Sequence, residues 1–107
     1  MIDVDGGQLW ILGLKTEGRA THLRAHDQAN VEIISGVAYQ SWGGQTLDPP
    51  MFIIKESNVS VTLGFYHHKT PFSVIVEETA GEISRMLKRD ELKNYHLPLY
   101  RAGGKKQ

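Results

Sequence analysis

One short pattern occurs four times along the chain and constrains its fold more than any other feature. Each copy opens with a residue that tolerates a positive φ angle, and a run of apolar or β-branched residues follows. The openers, at spacings of 23, 28 and 23 residues, are Gly7, Asn30, Asn58 and Gly81. Repeats of about 20 to 50 residues are typical of chains that stack one structural unit on the next. The pattern therefore predicts a stack of similar units.

Each repeat combines an apolar strand, a polar turn and a second strand. The turns carry Asp27, Glu56 and Glu77, and Asn or Gly closes them. If corresponding strands of successive repeats lie side by side about 4.8 Å apart, Asn30 lies next to Asn58 and their side-chain amides form a ladder. The predicted fold is all-β: a short, right-handed, single-stranded parallel β-helix of about four coils.

The remaining segments fit a single domain over residues 1–107. Residues 41–50 contain Gly-Gly and Asp-Pro-Pro, so they are interpreted as a loop insertion in one coil. Residues 83–92 have spacing that suits either a helix or a strand, and their place in the repeat favours a strand to about Lys88. Residues 89–107 are then a C-terminal cap and tail. A β-sandwich or cupin-like barrel is the alternative, but antiparallel hairpins need turn signals that are scarce here.

Composition excludes several classes of function. Lys and Arg together number 12, as do Asp and Glu, so no net charge attracts nucleic acid or an anionic membrane. The chain has no cysteine, which rules out disulfides and thiolate metal sites. Residues 1–7 are polar, so no signal peptide is expected, and the apolar run Leu9–Leu12 is too short for a membrane span. The cellular compartment stays open.

Three segments are similar to one known family. Gly7–Gly18 (GQLWILGLKTEG), Val31–Gly36 and Leu97–Tyr100 resemble the last coils of pectate-lyase-like β-helix proteins. The resemblance covers nearly the whole chain but only the end of such a protein, so it implies a terminal-coil module. Members of that superfamily are polysaccharide lyases and glycoside hydrolases, with catalytic carboxylates or basic groups in a groove of the central coils. No catalytic motif of the family matches here residue by residue.

The turn acids are the only catalytic candidates that the sequence offers. Stacking would bring two of Asp27, Glu56 and Glu77 to roughly 5 Å, near the separation found in retaining glycosidases. Acidic residues are common at solvated turns, however, and hydrolysis also needs a groove and one carboxylate with a raised pKa. The sequence shows neither a groove nor such a carboxylate. It therefore leaves open whether the chain is an enzyme and favours the reading that it is not.

No metal and no cofactor are predicted. His22 and His26 are four residues apart, which on a strand is about 13 Å and too far for one ion. Nothing in the sequence resembles a phosphate-binding loop or a Ser/His/Asp arrangement.

Aromatic residues suggest a surface on which sugar rings could stack. Trp42 lies in the Gly-rich loop close to Tyr39, and these two are the predicted binding residues. Trp10 lies inside an apolar run that predicts a strand buried on both faces, so it is assigned to the core.

The sequence favours a non-catalytic module for assembly or stabilisation, with polysaccharide as its candidate ligand. The exposed end of a β-helix invites pairing unless it is capped. Too few residues precede the first coil to cover it, so a homo-oligomer is expected, with Leu9, Trp10 and Ile11 at or near the contact. A hydrolase or lyase that uses the turn acids is the alternative.

Overall fold

The described part of the chain is all-β. A computed structural model describes residues 1–18, 20–40, 48–67, 72–93 and 96–103, so most of the predicted loop insertion lies outside the described residues. The strands are β1 (Ile2–Asp5), β2 (Gln8–Glu17), β3 (Leu23–His26), β4 (Asn30–Gln40), β5 (Phe52–Lys55), β6 (Asn58–His67), β7 (Val74–Ala80), β8 (Ile83–Lys88) and β9 (His96–Ala102). One 3-10 turn covers Arg89–Glu91. No described helix is long and apolar enough to cross a membrane.

The strands form two mixed sheets. Sheet A has the order β1-β3-β5-β7-β8, and sheet B has the order β2-β4-β6-β9. From β1 to β7, consecutive strands alternate between the sheets, and each pairs in parallel with the next strand of its own sheet. Only β8 on β7 and β9 on β6 pair antiparallel. The parallel pairing predicted from the repeats is confirmed for these seven strands, and it is the opposite of what the sandwich or barrel alternative requires.

The asparagine ladder is present, with one correction. Asn30 lies opposite Asn58, and the Asn58 side-chain amide donates to Asn30 Oδ1 at 3.0 Å. On the other side, the residue opposite Asn30 is Gln8. Gly7 therefore lies one position before the ladder, because the paired residues Gln8 and Asn30 are 22 positions apart whereas the two openers are 23 apart.

The fourth copy does not continue the parallel stack. Gly81 and Glu82 form a two-residue loop between β7 and β8, with φ of +61° at Gly81. A glycine at the first position of a two-residue loop is typical of a type II′ hairpin turn, so the chain reverses and β8 pairs antiparallel with β7. The prediction of a fourth parallel coil opened by Gly81 is wrong. The prediction of a strand that ends near Lys88 is confirmed.

Buried residues of both sheets form one apolar cluster. Phe52 and Ile54 contribute from sheet A, and Ile33 and Val61 contribute from sheet B. These positions recur at every second residue because successive side chains of a strand point to opposite faces. One face of each sheet is thus buried and the other faces solvent.

β2 follows this alternation, which corrects the assignment of Trp10. Leu9 and Ile11 pack against the core, whereas Trp10 is 73% exposed and Leu12 is 77% exposed. The prediction that this strand is buried on both faces, with Trp10 in the core, is wrong. An apolar strand is buried on both faces only if other elements cover both faces of its sheet. No described residue covers the outer face of sheet B.

β2 and β4 bend together near their midpoints. Gly13 has φ of +91° and Ser35 has φ of +70°, and the register between β4 and β6 shifts at the same point. A Cβ at Gly36 would collide with the backbone of Leu14, so glycine is needed there for the strands to approach. A glycine inside a strand is typical of such a bend, so the sequence alone indicates it at Gly36.

The last strands are tied to both sheets by Glu78, which is 7% exposed. Its carboxylate accepts hydrogen bonds from Arg85 Nη2 at 2.8 Å, Tyr100 Oη at 2.7 Å and the Gly103 amide at 3.0 Å. Burial, followed by the bond to Glu78, raises the pKa of Tyr100 to about 12. The predicted C-terminal cap therefore includes an extended strand, β9, that pairs with β6 and is fixed to β7 and β8 by one buried acid.

We predict that Glu78→Gln lowers the free energy of unfolding by about 2 kcal/mol, because hydrogen bonds to a charged acceptor are lost. A glutamine also turns its NH₂ group toward donors. Urea denaturation measures the loss, and Glu77→Gln, one residue away on the same strand, is the matched control. Equal effects of the two substitutions would contradict the assigned role of Glu78.

Candidate functional site

Four side chains lie in one row across the outer face of sheet B. Trp10 on β2 is opposite Glu32 on β4, Glu32 is opposite Ser60 on β6, and Ser60 is opposite Arg101 on β9. Adjacent strands are about 4.8 Å apart, so the row crosses the sheet over roughly 14 Å. It presents an aromatic ring, an acid, a hydroxyl and a base in that order.

This row lies in a groove of about 390 Å³. The lining residues include both asparagines of the ladder and are Trp10, Asn30, Val31, Glu32, Asn58, Val59, Ser60, Arg101 and Ala102. The groove thus combines one large aromatic surface with amide, hydroxyl, acidic and guanidinium groups. Binding sites for small molecules typically pair an apolar or aromatic wall with a few oriented polar groups.

The chemistry of the groove suits a polyhydroxylated ligand. An exposed indole ring can pack against the apolar face of a sugar ring. Arg101 supplies donors, Glu32 supplies acceptors, and the Ser60 hydroxyl can do both. Because the polar groups stand in line from β4 to β9, they could contact successive hydroxyls of a chain that crosses the strands.

The repeat contains a signal that could have found this row. Trp10, Glu32 and Ser60 each lie two residues after a ladder position: Gln8, Asn30 and Asn58, respectively. Glu32 and Ser60 are polar, which marks this position of the repeat as outward-facing. Trp10 occupies the same position and must also face outward, whatever the hydropathy of its neighbours.

Of the two aromatic residues predicted from the sequence to bind sugar, Tyr39 does not line this groove. The prediction for Trp42 lies outside the described residues. Tyr39 is half-buried near the end of β4, opposite Glu17, whereas the groove lies near the start of that strand. The structure therefore exposes an aromatic side chain at Trp10, near the opposite ends of the strands from Tyr39.

The three turn acids do not form one stacked row. Asp27 and Glu56 occupy corresponding turns with φ of +59° and +48°, and the Gln28 amide donates to the Glu56 carbonyl at 2.8 Å. Glu77 instead lies within β7, opposite Ile53, and its assignment to a turn is wrong. The strand continues through Glu77 because β7 extends to the hairpin at Gly81. None of the three acids lines the groove.

A second polar cluster lies where β1 meets β3. His26 Nδ1 is 2.8 Å from Asp27 Oδ2 and 3.8 Å from Asp5 Oδ1, and its Nε2 is 3.2 Å from Asp3 Oδ1. Arg24 Nε donates to the same Asp3 oxygen at 2.8 Å. The parallel register, with Asp5 opposite His26, brings these residues together. No spacing in the sequence reveals this, which is why the cluster was not predicted.

Electrostatic coupling displaces several pKa values in this cluster. Hydrogen bonds to Asp3 and then Asp27 raise the pKa of His26. The close contact between two carboxyl groups raises the pKa of Asp5 and lowers that of Asp27, whose charge His26 also stabilises. Asp5, His26 and Asp27 each offer a ligand atom, and these atoms lie within 4.8 Å of one another, so they are the described residues that could hold a metal ion. Both ring nitrogens of His26 already contact carboxylates, Nδ1 that of Asp27 and Nε2 that of Asp3. The sequence predicted no metal site.

His22 has the opposite environment. It is buried, its ring lies edge-on to Phe72 with centroids 5.3 Å apart, and its Nε2 has no hydrogen-bond partner among the described residues. Burial lowers the pKa of His22 to about 4, so the ring is neutral in the fold. The two histidines are four residues apart in the sequence, yet the fold lowers the pKa of His22 and raises that of His26.

Comparison with known proteins adds no assignment to these sites. No family model, no curated protein and no solved structure matches the chain. The groove and the cluster around His26 are therefore interpreted from their own residues.

We predict opposite pH effects for the two histidines. Because the pKa of His22 is lower in the fold, the unfolded chain takes up a proton first as pH falls below about 6.5, and stability is lost toward pH 4. His22→Leu should remove about 2 kcal/mol of the difference in unfolding free energy between about pH 8 and about pH 5. Because the pKa of His26 is raised, its contribution is complete below about pH 6.5 and is lost as pH rises through its folded pKa.

His26→Gln should consequently destabilise the protein more at about pH 5 than at about pH 8. Urea denaturation of both variants and the unmodified chain at the two pH values provides the measurement. If His26→Gln costs the same stability at both values, the ion pairs around His26 do not form as described.

Proposed function

We propose that the chain is a short, right-handed, single-stranded parallel β-helix module, without catalytic activity of its own, that contacts glycans through the groove beside Trp10. The alternation of strands between two sheets, with parallel pairing in each, supports the β-helix. β1–β2, β3–β4 and β5–β6 would be its three coils. Crossover connections between parallel strands of one sheet are right-handed in about 98% of cases, which supports the handedness. The pectate-lyase-like β-helix is the family that this architecture and the sequence resemblance suggest.

The observation that carries the proposal is the exposed indole of Trp10 at the end of a polar row. A tryptophan that is 73% exposed on a regular strand presents a large apolar surface to water. Such a surface is more typical of a binding site than of a structural role. Glu32, Ser60 and Arg101 then supply hydrogen bonds at regular intervals beside it.

The composition of the groove supports a role in binding without catalysis. Glu32 is its only acidic lining residue among those described, whereas most glycosidases use two carboxyl groups across the scissile bond. Asp5 and Asp27 have pKa values displaced in opposite directions, as an acid and base pair would, but neither lines the groove. The hydrolase or lyase alternative would need substrate to reach the turns instead.

A second proposed role is assembly, and the free edge of β2 supports it. β2 pairs with β4 on one side and with no described strand on the other. Trp10 and Leu12 are exposed along this strand, with Ile34 exposed beside Leu12. Unpaired backbone next to exposed apolar side chains favours association. We propose that the chain forms a homo-oligomer with Leu9, Trp10 and Ile11 at or near the contact.

We predict that the protein binds oligogalacturonide or β-glucan fragments and that Trp10→Ala weakens this binding at least about tenfold, through loss of the stacking surface. Trp42→Ala is the matched control, because Trp42 is the only other tryptophan in the chain. Calorimetric titration measures both variants. Loss of binding in Trp42→Ala but not in Trp10→Ala would instead support the loop site predicted from the sequence, and no binding by the unmodified protein would refute glycan contact.

Incubation with pectin or β-glucan should release neither reducing ends nor 4,5-unsaturated products, because the described lining of the groove contains only one acid, Glu32. Release that Glu56→Gln abolishes would establish the enzyme alternative. Release that Glu56→Gln leaves unchanged would still contradict a non-catalytic module.

A further inference from the structure

β2 differs from the other described sheet edges. The edge strand β1 carries Asp3 and Asp5, β8 carries Arg85 and Lys88, and β9 carries Pro98 and Arg101. Charges and proline are the usual devices that prevent edge-to-edge pairing. The first six residues of β2, 8–13, have neither. At ten residues, β2 is also longer than any of the other three edges.

The bend in β2 limits what can pair with its free edge. β4 follows the bend of β2 because Ser35, which lies opposite Gly13, also adopts a positive φ angle. A partner on the other side must likewise change its alternation at that point. A regular extended strand would match β2 on one side of Gly13 and present the wrong face on the other side, because side chains alternate with a period of two.

The exposure pattern of β2 is symmetric about the peptide bond between Leu12 and Gly13. The more exposed residues are Gln8, Trp10, Leu12, Gly13, Lys15 and Glu17, and the more buried ones are Leu9, Ile11, Leu14 and Thr16. Read from either end, the order of exposed and buried positions is the same. A pattern with this symmetry is what a twofold contact between identical strands requires.

We propose that the free edge of β2 pairs antiparallel with β2 of a second copy, with the twofold axis at the Leu12–Gly13 peptide bond. This inference rests on the proposed assembly role and adds its partner and its register. Leu12 then lies opposite the partner's Gly13, Trp10 opposite the partner's Lys15, and Gln8 opposite the partner's Glu17. All ten positions match exposed with exposed and buried with buried. A shift of one or two residues in either direction places an exposed position opposite a buried one near the bend.

The pairing joins the two copies of sheet B into one continuous sheet of eight strands. Pairing uses the backbone edge of β2, so the outer face that bears Trp10 stays open to ligand. The partner's Lys15 lies beside the indole ring, where an ammonium group is attracted to an aromatic face. The groove of each copy would thus continue toward that of the other, with the two Trp10 rings on the same face.

Light scattering tests the assembly. We expect twice the mass of the 12.0 kDa chain at micromolar concentration. Leu12→Glu should raise the dimer dissociation constant at least about tenfold, because it places two carboxylates near the axis. Leu99→Glu is the matched control, since Leu99 is also exposed but lies on the opposite edge of the sheet. A monomer at all concentrations, or equal effects of both substitutions, would overturn the proposal.

Disulfide formation tests the register, and the chain has no cysteine of its own to interfere. In this register the two Leu12 Cα atoms lie about 6 Å apart, within the range that a disulfide spans. Leu12→Cys should therefore crosslink on oxidation. Lys15→Cys should not, because the two positions are separated by more than about 15 Å. A dimer in which Leu12→Cys does not crosslink would overturn the register and leave the assembly role standing, whereas a monomer would refute both.

Discussion

The in-register parallel pairing of β2, β4 and β6 is the constraint on which the rest of the structure depends. The hydrogen bond from Asn58 to Asn30 fixes the register at the start of these strands, and the backbone pairing carries it along them. A slip of one residue would turn every side chain to the other face. Ile33 and Val61 would then meet water, and Glu32 would be driven into the core. The same register creates the outward row that begins with Trp10.

The two ends of the stack are finished in different ways. At one end the Gly81 hairpin reverses the chain, β9 covers β6, and the buried carboxylate of Glu78 joins the last strands. At the other end β2 presents unpaired backbone with Trp10 and Leu12 exposed. The proposed contact between copies lies at this second end, and the groove extends from it across the sheet to β9. The contrast is physical: the edge strands β8 and β9 carry charged residues and a proline, whereas β2 leaves unpaired backbone beside exposed apolar side chains.

The sequence predicted what depends on local chemistry and failed where the outcome depends on register. The Asn30–Asn58 ladder, the bend at Gly36 and the strand that ends at Lys88 all follow from residue types and the repeat. The hairpin at Gly81 was missed because its loop begins with glycine and lacks the Asn-Gly or Asp-Gly pair that most clearly signals a hairpin. Trp10 was assigned to the core because an apolar run does not show which of its faces is covered.

The cluster around His26 could not be predicted at all, since it joins residues that only the pairing of β1 with β3 brings together. The same limit applies to the groove, whose members come from four strands. The repeat did contain part of the answer, because the polar residues Glu32 and Ser60 show that the position of Trp10 faces outward.

The parallel register of sheet B is tested most directly by an NMR spectrum of labelled protein that reports cross-strand contacts between β4 and β6. We expect contacts in the parallel pattern between Ile33 and Val61, together with contacts between the Asn30 and Asn58 side chains. Close contacts between α-protons of directly opposed residues, the signature of an antiparallel pair, would contradict the register and with it the groove.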